Sequence, residues 1–325
     1  MTPNKARHLL VLPRLQIQNA NTISSPLTWG FPAMSAFVGF MHALEQRLPD
    51  ELLLEFHQVG VVCHSHEILS SSAGYNLQQF HLTRNPVGKE GKTAAIAEEG
   101  RMHLELSLIF AVDRETWPDN RTQQDMAQRI DDIARGMRIA GGSVIEPTAA
   151  SNRPKPALVS MPDDSGEYEA EFRRLQRRSH LLPGFALVLN EDALSQRLAD
   201  MQHNTPDTTR LDAWLDFARL HRDCIVDADT GAHQWQIRST PGWHVPIPVG
   251  YGALGQLHAA GEVTNARDAT TPFRFVESLY SIGQWVSPHR LRRPESLLWY
   301  IDNDMEHGVY RLNNKYTHHA HTRGE

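Results

Sequence analysis

Along the first 147 residues the apolar positions change period several times, and each change predicts an element. Residues 9–17 form a short apolar run that reads as a strand. A polar loop rich in Asn and Ser follows and ends in Trp29-Gly30-Phe31-Pro32. Over 34–48, Met34, Phe37, Val38, Met41, Ala43, Leu44 and Leu48 fall close to the i, i+3, i+4, i+7 rhythm of a buried helical stripe. Gly39 lies inside that helix at a cost of about 1 kcal/mol relative to Ala, which points to something packed on its backbone. Residues 52–64 are β-rich, and 102–112 alternate and then turn continuously apolar, as a central strand does. Between them, 65–100 is a polar excursion with one candidate strand at 75–82. It is too long for an ordinary connection. Residues 122–139 carry Met126, Ile130, Ile133, Ala134 and Met137 on one helical face. Asn120 or Thr122 is the expected cap, and Gly141-Gly142 the expected stop. A last strand begins at 143–145.

That order is βαββαβ, the ferredoxin-like pattern shared by the RNA-recognition motif, which binds single strands on its sheet. The expected class is α+β: a palm over 1–147 interrupted by the 65–100 insertion, and a C-terminal α+β region over 148–325. After Pro147 a Pro-rich link leads to a helix at 167–178, with Arg173, Arg174, Arg177 and Arg178 toward its C-terminus, where cations suit the helix dipole. Residues 181–189 read as a strand interrupted by Pro183-Gly184. Helices are expected at 192–202 and 210–220, extended loop at 240–265, a helix at 273–285 and a short element at 296–300.

Composition narrows the class. The 325 residues suffice for roughly two domains of about 150 residues each. With 2 cysteines, Cys63 and Cys224, no disulfide framework arises, and a reducing cytoplasmic setting fits. The N-terminal apolar run stops at Pro13-Arg14, too short for a signal peptide, and no run approaches a membrane span. The net charge of −6 argues against a chain that is basic throughout, but charge is local. The four arginines form one basic cluster, and His289, Arg290, Arg292 and Arg293 form another. Ordinary solvated surface charge is the competing reading of each.

Motifs for catalysis are sparse. Cys63-His64-Ser65-His66-Glu67 invites a metal reading, but no second Cys/His pair at zinc spacing appears. Strand alternation would place His64 and His66 on one face and Cys63 and Ser65 on the other. Asp302-Asn303-Asp304 lacks the glycine and bidentate Glu of a calcium loop, and His318, His319 and His321 belong to a tail. No phosphate-binding P-loop, dinucleotide fingerprint or nucleophile elbow is present. The expectation is no cofactor, no metal and no catalytic residue. Trp29, Phe31 and Pro32 read either as a hydrophobic staple or as a platform for stacked bases, and the strand–loop–helix passage as a place where backbone N–H groups meet phosphate.

The succession RLQIQNANTISSPLTWGFPAMSAFVGFMHAL, FHLTRNP, TAAIAEEGRMHLELSL, RIAGGSV, LLPGFALV, GWHVPIPVGY, VTNARD, RFVES and SPHR resembles one family across nearly the whole chain. It is the second Csy subunit of the type I-F CRISPR surveillance complex, a Cas-five-class RNA-binding protein. The resemblance implies an RNA-recognition-like palm whose inserted thumb is the 65–100 excursion. It implies a subunit that is not the RNA-cleaving enzyme. That subunit grips the 5′ handle of the CRISPR RNA, pairs with the large Csy subunit and reaches a backbone Csy subunit. It meets target double-stranded DNA only indirectly, and no membrane. The family-matching positions are Arg14, Asn19, Asn21, Ser24, Ser25, Trp29 and Phe31 in the first loop; Thr83, Arg84 and Asn85 in the thumb; Gly141, Gly142 and Ser143; and Arg178, Asn265, Arg267, Arg274, His289 and Arg290 toward the C-terminus. These are the candidate RNA contacts, because guanidinium groups match phosphates and bases, and amides read base edges. A rival function is a metal-independent endoribonuclease using His64 or His66 as general acid/base.

Overall fold

A computed structural model describes residues 5–74, 77–84, 87–88, 90–93, 96–146, 153–226, 231–237, 242–266 and 268–317. Eleven strands form one sheet. They are β1 (His8–Asn21), β2 (Glu55–Ile68), β3 (Arg101–Asp113), β4 (Arg138–Ile139), β5 (Gly142–Ile145), β6 (Ala157–Ser160), β7 (Phe185–Leu189), β8 (Trp243–Ala253), β9 (Val276–Val286), β10 (Trp299–Ile301) and β11 (Val309–Asn314). The order is β4-β5-β1-β3-β2-β7-β9-β8-β11-β10, with β6 beside β1, and the pairings are antiparallel. Trp299 of β10 pairs back onto Val59 of β2, so the ladder from β2 through β7, β9, β8, β11 and β10 closes on itself. The fold is α+β with a predominantly antiparallel sheet.

Five helices dress the sheet: α1 (Met34–Glu45), α2 (Asn120–Arg135), α3 (Ser165–Arg178), α4 (Glu191–Asn204) and α5 (Arg210–Ala218). The apolar stripe expected on α1 is buried at Met34, Phe37, Val38, Met41 and Leu44. With Met126, Ala127, Ile130 and Ala134 of α2 it packs on Leu10, Leu12, Leu15 and Ile17 of β1 and Leu104, Leu106, Leu108 and Phe110 of β3. A second cluster lies on the other face of the sheet. There Tyr168, Phe172 and Leu175 of α3 cover Leu9, Val11, Val62, Ile109 and Ala111. Both faces of the central strands are therefore buried, which explains their continuous apolar runs. The sheet face on which an RNA-recognition motif would hold its strand is occupied here by α3.

Several local expectations are corrected. Gly39 is exposed, and a Cβ there would meet nothing within 4 Å, so no neighbour packs on α1 at that point. The cap of α2 is Asp119, whose Oδ1 accepts from the N–H groups of Arg121 and Thr122 at 2.9 Å each, rather than Asn120 or Thr122. The helix stops at Gly136. Gly141-Gly142 instead closes the β4–β5 hairpin, with Ala140 and Gly141 at φ 48° and 79°. Mirror-image turns of this kind need positive φ at both central residues.

The stretch expected to be loop, 240–265, contains strand β8. Pro246 and Pro248 are two apart and present the same edge, where β11 joins only from Gly250 onward, so no ladder donor is missing. The helix expected at 273–285 is strand β9. Ile282 packs under α4 and α5 while Leu279 and Trp285 face the main core, so both faces are covered and the period-2 signal is erased. The excursion after β2 holds two short hairpins, Ser70–Gly74 with Leu77–Phe80 and Leu82–Arg84 with Ile96–Glu98. The expected strand at 75–82 is thus split, and Tyr75 lies outside the described residues, as do His318, His319 and His321.

Candidate nucleic-acid interface

Two turns of chain bring aromatic rings together where the first loop meets the C-terminal strands. The loop after β1 folds into a small hairpin, Ile23–Ser25 against Thr28–Trp29. Ser24 Oγ contacts the Thr28 hydroxyl and carbonyl at 2.7 and 3.1 Å, and Ser25 Oγ accepts from the Thr28 N–H at 3.0 Å. The Asn21 amide donates to the Ile23 carbonyl at 2.6 Å. These short polar groups fix the turn that carries Trp29, whose ring stays 62% exposed and meets Phe80 edge-on at 5.5 Å. Gly30 follows at φ 115°, a conformation open to glycine, and swings Phe31 back toward the protein. Phe31 stacks on Phe37 and meets Trp285 of β9 edge-on at 4.9 Å.

Strands β7, β8 and β9 supply the opposite wall. Phe185 lies 5.4 Å from Trp243, and Trp243 lies 6.1 Å from Trp285. Together these rings line a groove of about 460 Å³, floored by Leu187, Ile247 and Met34 and edged by Ser24, His66 and Pro248. Trp243 is 51% and Phe185 43% exposed, a large apolar surface to leave in water. The start of α1 opens into the same groove at Ala33 and Met34. No side chain caps it and no acid sits in its first turn, so the positive helix end has no side-chain partner there, although the Ala36 N–H bonds the Ala33 carbonyl at 2.9 Å. Aromatic faces beside a positive helix end can hold unstacked bases and their phosphates.

The sequence-derived candidates divide among several environments. Trp29 and Phe31 line the groove, and Ser24 edges it. Ser25 and Asn21 support the hairpin. Asn19, at φ 58°, lines a separate shallow pocket with Arg101 and Arg138. Arg14 sits at a bulge in β1 with φ 52°, its guanidinium turned inward to Glu105 at 3.1 Å and to the carbonyls of His180 and Leu182 at 3.0 and 3.2 Å. A Cβ on Gly142 would stand 2.7 Å from the Ala20 nitrogen and the Gln18 oxygen, so close approach of β1 requires that glycine. Gly141 belongs to the hairpin turn, and Ser143 pairs Gln18 of β1. Arg274 lies over Gly308, and Asn265 is an exposed turn residue. Arg178 ends α3 close to His289 and Arg290, because Gln176 donates to the carbonyls of Pro288 and Leu291 at 2.9 and 3.1 Å. Thr83 and Arg84 lie in the short strand Leu82–Arg84, while Asn85 and Arg267 fall outside the described residues.

The two histidines considered for acid/base work both line the groove but have different surroundings. A bulge between Cys63 and Ser65 breaks the alternation of β2. His66 pairs Leu104, whereas the His64 ring turns to Ser107 and Pro183. There Arg14 N–H donates to Ser107 Oγ at 3.0 Å, and Ser107 lies 2.7 Å from His64 Nε2. His64 Nδ1 lies 2.7 Å from the Pro183 carbonyl, which can only accept, so Nδ1 carries the proton and Nε2 accepts from Ser107. Burial lowers the His64 pKa, although the Pro183 bond opposes that shift. Both ring nitrogens are thus engaged within the protein. Among the described residues no group of three or more His, Cys, Asp or Glu side chains is placed to hold a metal, and no helix is long and apolar enough to cross a membrane.

Sequence reasoning missed Phe185, Trp243 and Trp285 because their segments read as broken strand, loop and helix. The aromatic and proline density of GWHVPIPVGY was the available signal. Comparison with known proteins agrees with the resemblance drawn from the motifs. A family model for CRISPR-associated protein Csy2 matches residues 10–312. The CRISPR-associated protein Csy2 of Pseudomonas aeruginosa (strain UCBPP-PA14) is 46% identical over 311 residues, covering 93% of this chain and 94% of that protein. The chain therefore belongs to the Csy2 family of CRISPR-associated proteins, the second-subunit family of the type I-F Csy complex.

Proposed function

We propose that this chain is a non-catalytic RNA-binding subunit of a type I-F surveillance complex. It grips the 5′ handle of the CRISPR RNA, pairs with the large Csy subunit in the cytoplasm, and serves target-duplex recognition indirectly, as part of the assembled particle. The observation that carries the reading is the aromatic groove, because a subunit that only scaffolds gains nothing from holding Trp243, Phe185 and Trp29 in water beside an uncapped helix start. Antiparallel order β5-β1-β3-β2, with α1 and α2 on one face, supports a ferredoxin-like palm over 1–147. The paired ribbons within 65–100 support a thumb that reaches a backbone subunit. Residues 148–325 then supply the second wall of the groove. Ser25 and Asn21 fix the hairpin that carries Trp29, and Trp29 and Phe31 touch bases.

The test replaces Trp243 and Phe185 by Ala in the reconstituted subcomplex and measures affinity for handle RNA. Each stacked base lost should cost about 1–3 kcal/mol, roughly 5- to 150-fold in Kd. Unchanged affinity in a folded double variant would refute the groove as the RNA site. His64→Ala and His66→Ala address the endoribonuclease alternative: specific cleavage of repeat RNA by the parent protein, lost in these variants, would overturn the non-catalytic reading.

A further inference from the structure

A second surface lies on the α3 side of the sheet, away from the groove. The Gln176 bonds to Pro288 and Leu291 join the end of α3 to the 3₁₀ helix Pro288–Arg290, so two basic clusters far apart in sequence become one patch. Its arginines fall into two sets. Arg173 donates to the Glu169 carbonyl, Arg174 pairs Glu171 at 2.9 Å, and Arg293 pairs Glu169 at 3.4 Å. Arg177, Arg178, Arg290 and Arg292 are exposed and have no ion pair or side-chain hydrogen bond among the described residues. The carboxylate of Glu295 is buried, accepts from Tyr168 and the Ala6 N–H, and forms no ion pair with these arginines among the described residues. The dipole of α3 favours cations at Arg177 and Arg178. It gives no reason for Arg290, which ends the single-turn helix Pro288–Arg290, or for Arg292 beyond it. In a chain of net charge −6, four unneutralised guanidinium groups in one place are a local reversal of sign.

We propose that Arg177, Arg178, Arg290 and Arg292 bind the sugar–phosphate backbone of double-stranded nucleic acid, without reading its bases. Guanidinium groups match phosphate oxygens two at a time. Single-strand platforms interleave cations with aromatic faces. The patch has the cations alone: RRLQRRSH and SPHRLRR contain no Phe, Tyr or Trp. A duplex hides its bases and displays its phosphates, so it asks for nothing more. This surface does not depend on the groove being the RNA site.

The experiment measures binding of the full chain to a random-sequence 20-base-pair DNA duplex, and to single-stranded RNA, across a salt series. Changing the four arginines to Gln should flatten the plot of log affinity against log salt for duplex by about three to four, at roughly 0.9 per phosphate contact. Changing the same four to Lys should keep most of the slope, which separates charge from folding. Trp243→Ala with Phe185→Ala should leave the duplex slope intact, so failure of the groove reading and failure of this one are told apart. A duplex slope that moves by less than one in the Gln variant overturns the proposal. So does an effect confined to single-stranded RNA, or a parent protein that binds no duplex at low salt.

Discussion

Asp131 offers a sharp test of how the palm is held together. Its carboxylate is fully buried on α2, and Arg135 and Arg153 are 13% and 10% exposed. Oδ2 accepts from Arg135 Nε at 2.8 Å and Arg153 Nη1 at 2.7 Å, while Oδ1 accepts from Arg153 Nη2 at 2.8 Å. Arg153 Nε donates onward to the Pro13 carbonyl, so the network ties α2 and the approach to β6 to the bulge in β1. Asp131→Asn keeps the volume but removes the buried charge that Arg153 and Arg135 share, leaving Arg135 only its pair with the exposed Glu146 at 3.1 Å. Breaking a buried pair from one side costs about 3–5 kcal/mol, against a total stability of about 5–15 kcal/mol for a typical domain. Urea unfolding should show a lower midpoint at unchanged m-value. Adding Arg153→Met should recover part of the loss, since one uncompensated charge goes with it, with a coupling of roughly 0.5–3 kcal/mol. Arg129→Gln, which breaks an exposed pair with Glu51, is the control and should leave the midpoint in place. If Asp131→Asn lowers the midpoint no more than that control does, the network is not what joins these elements.

Other outcomes follow from burial. Cys63 is 8% exposed and burial pushes its thiol up to about 12, whereas Cys224 lies exposed. A thiol reagent at pH 8 should label one cysteine in the native protein and two after denaturation; rapid native labelling of both would contradict the burial of β2. His64 is held below its ordinary value of 6.5 by burial, so the unfolded chain takes up its proton first as pH falls. Its contribution to stability is full above about 6.5 and is lost as pH drops toward the lower folded value. His8 and His244 are lowered by burial too, so His64→Gln should flatten only part of the fall in melting temperature between pH 7 and 5. An identical slope in parent and variant would show that His64 is not buried neutral.

The amphipathic stripes of α1 and α2, the apolar runs of β1 and β3 and the ordered motifs of the Csy2 family were legible in the sequence, because local periodicity and motif order survive without knowledge of contacts. The element order through residue 145 was legible for the same reason. Trp29 and Phe31 were visible too, as an exposed-looking aromatic turn. Tertiary structure decided the rest. β8 and β9 hide as loop and helix because prolines on an open edge and burial on both faces erase the strand signature. The register shift at His64 gives the two histidines different partners, which alternation alone does not foresee. Most of all, the groove is assembled from Trp29, Phe31, Phe185, Trp243 and Trp285, residues far apart in the chain. Only closure of the ladder from β2 around to β10 brings the C-terminal rings against the first loop, since spacing in sequence carries no information about which faces meet in space.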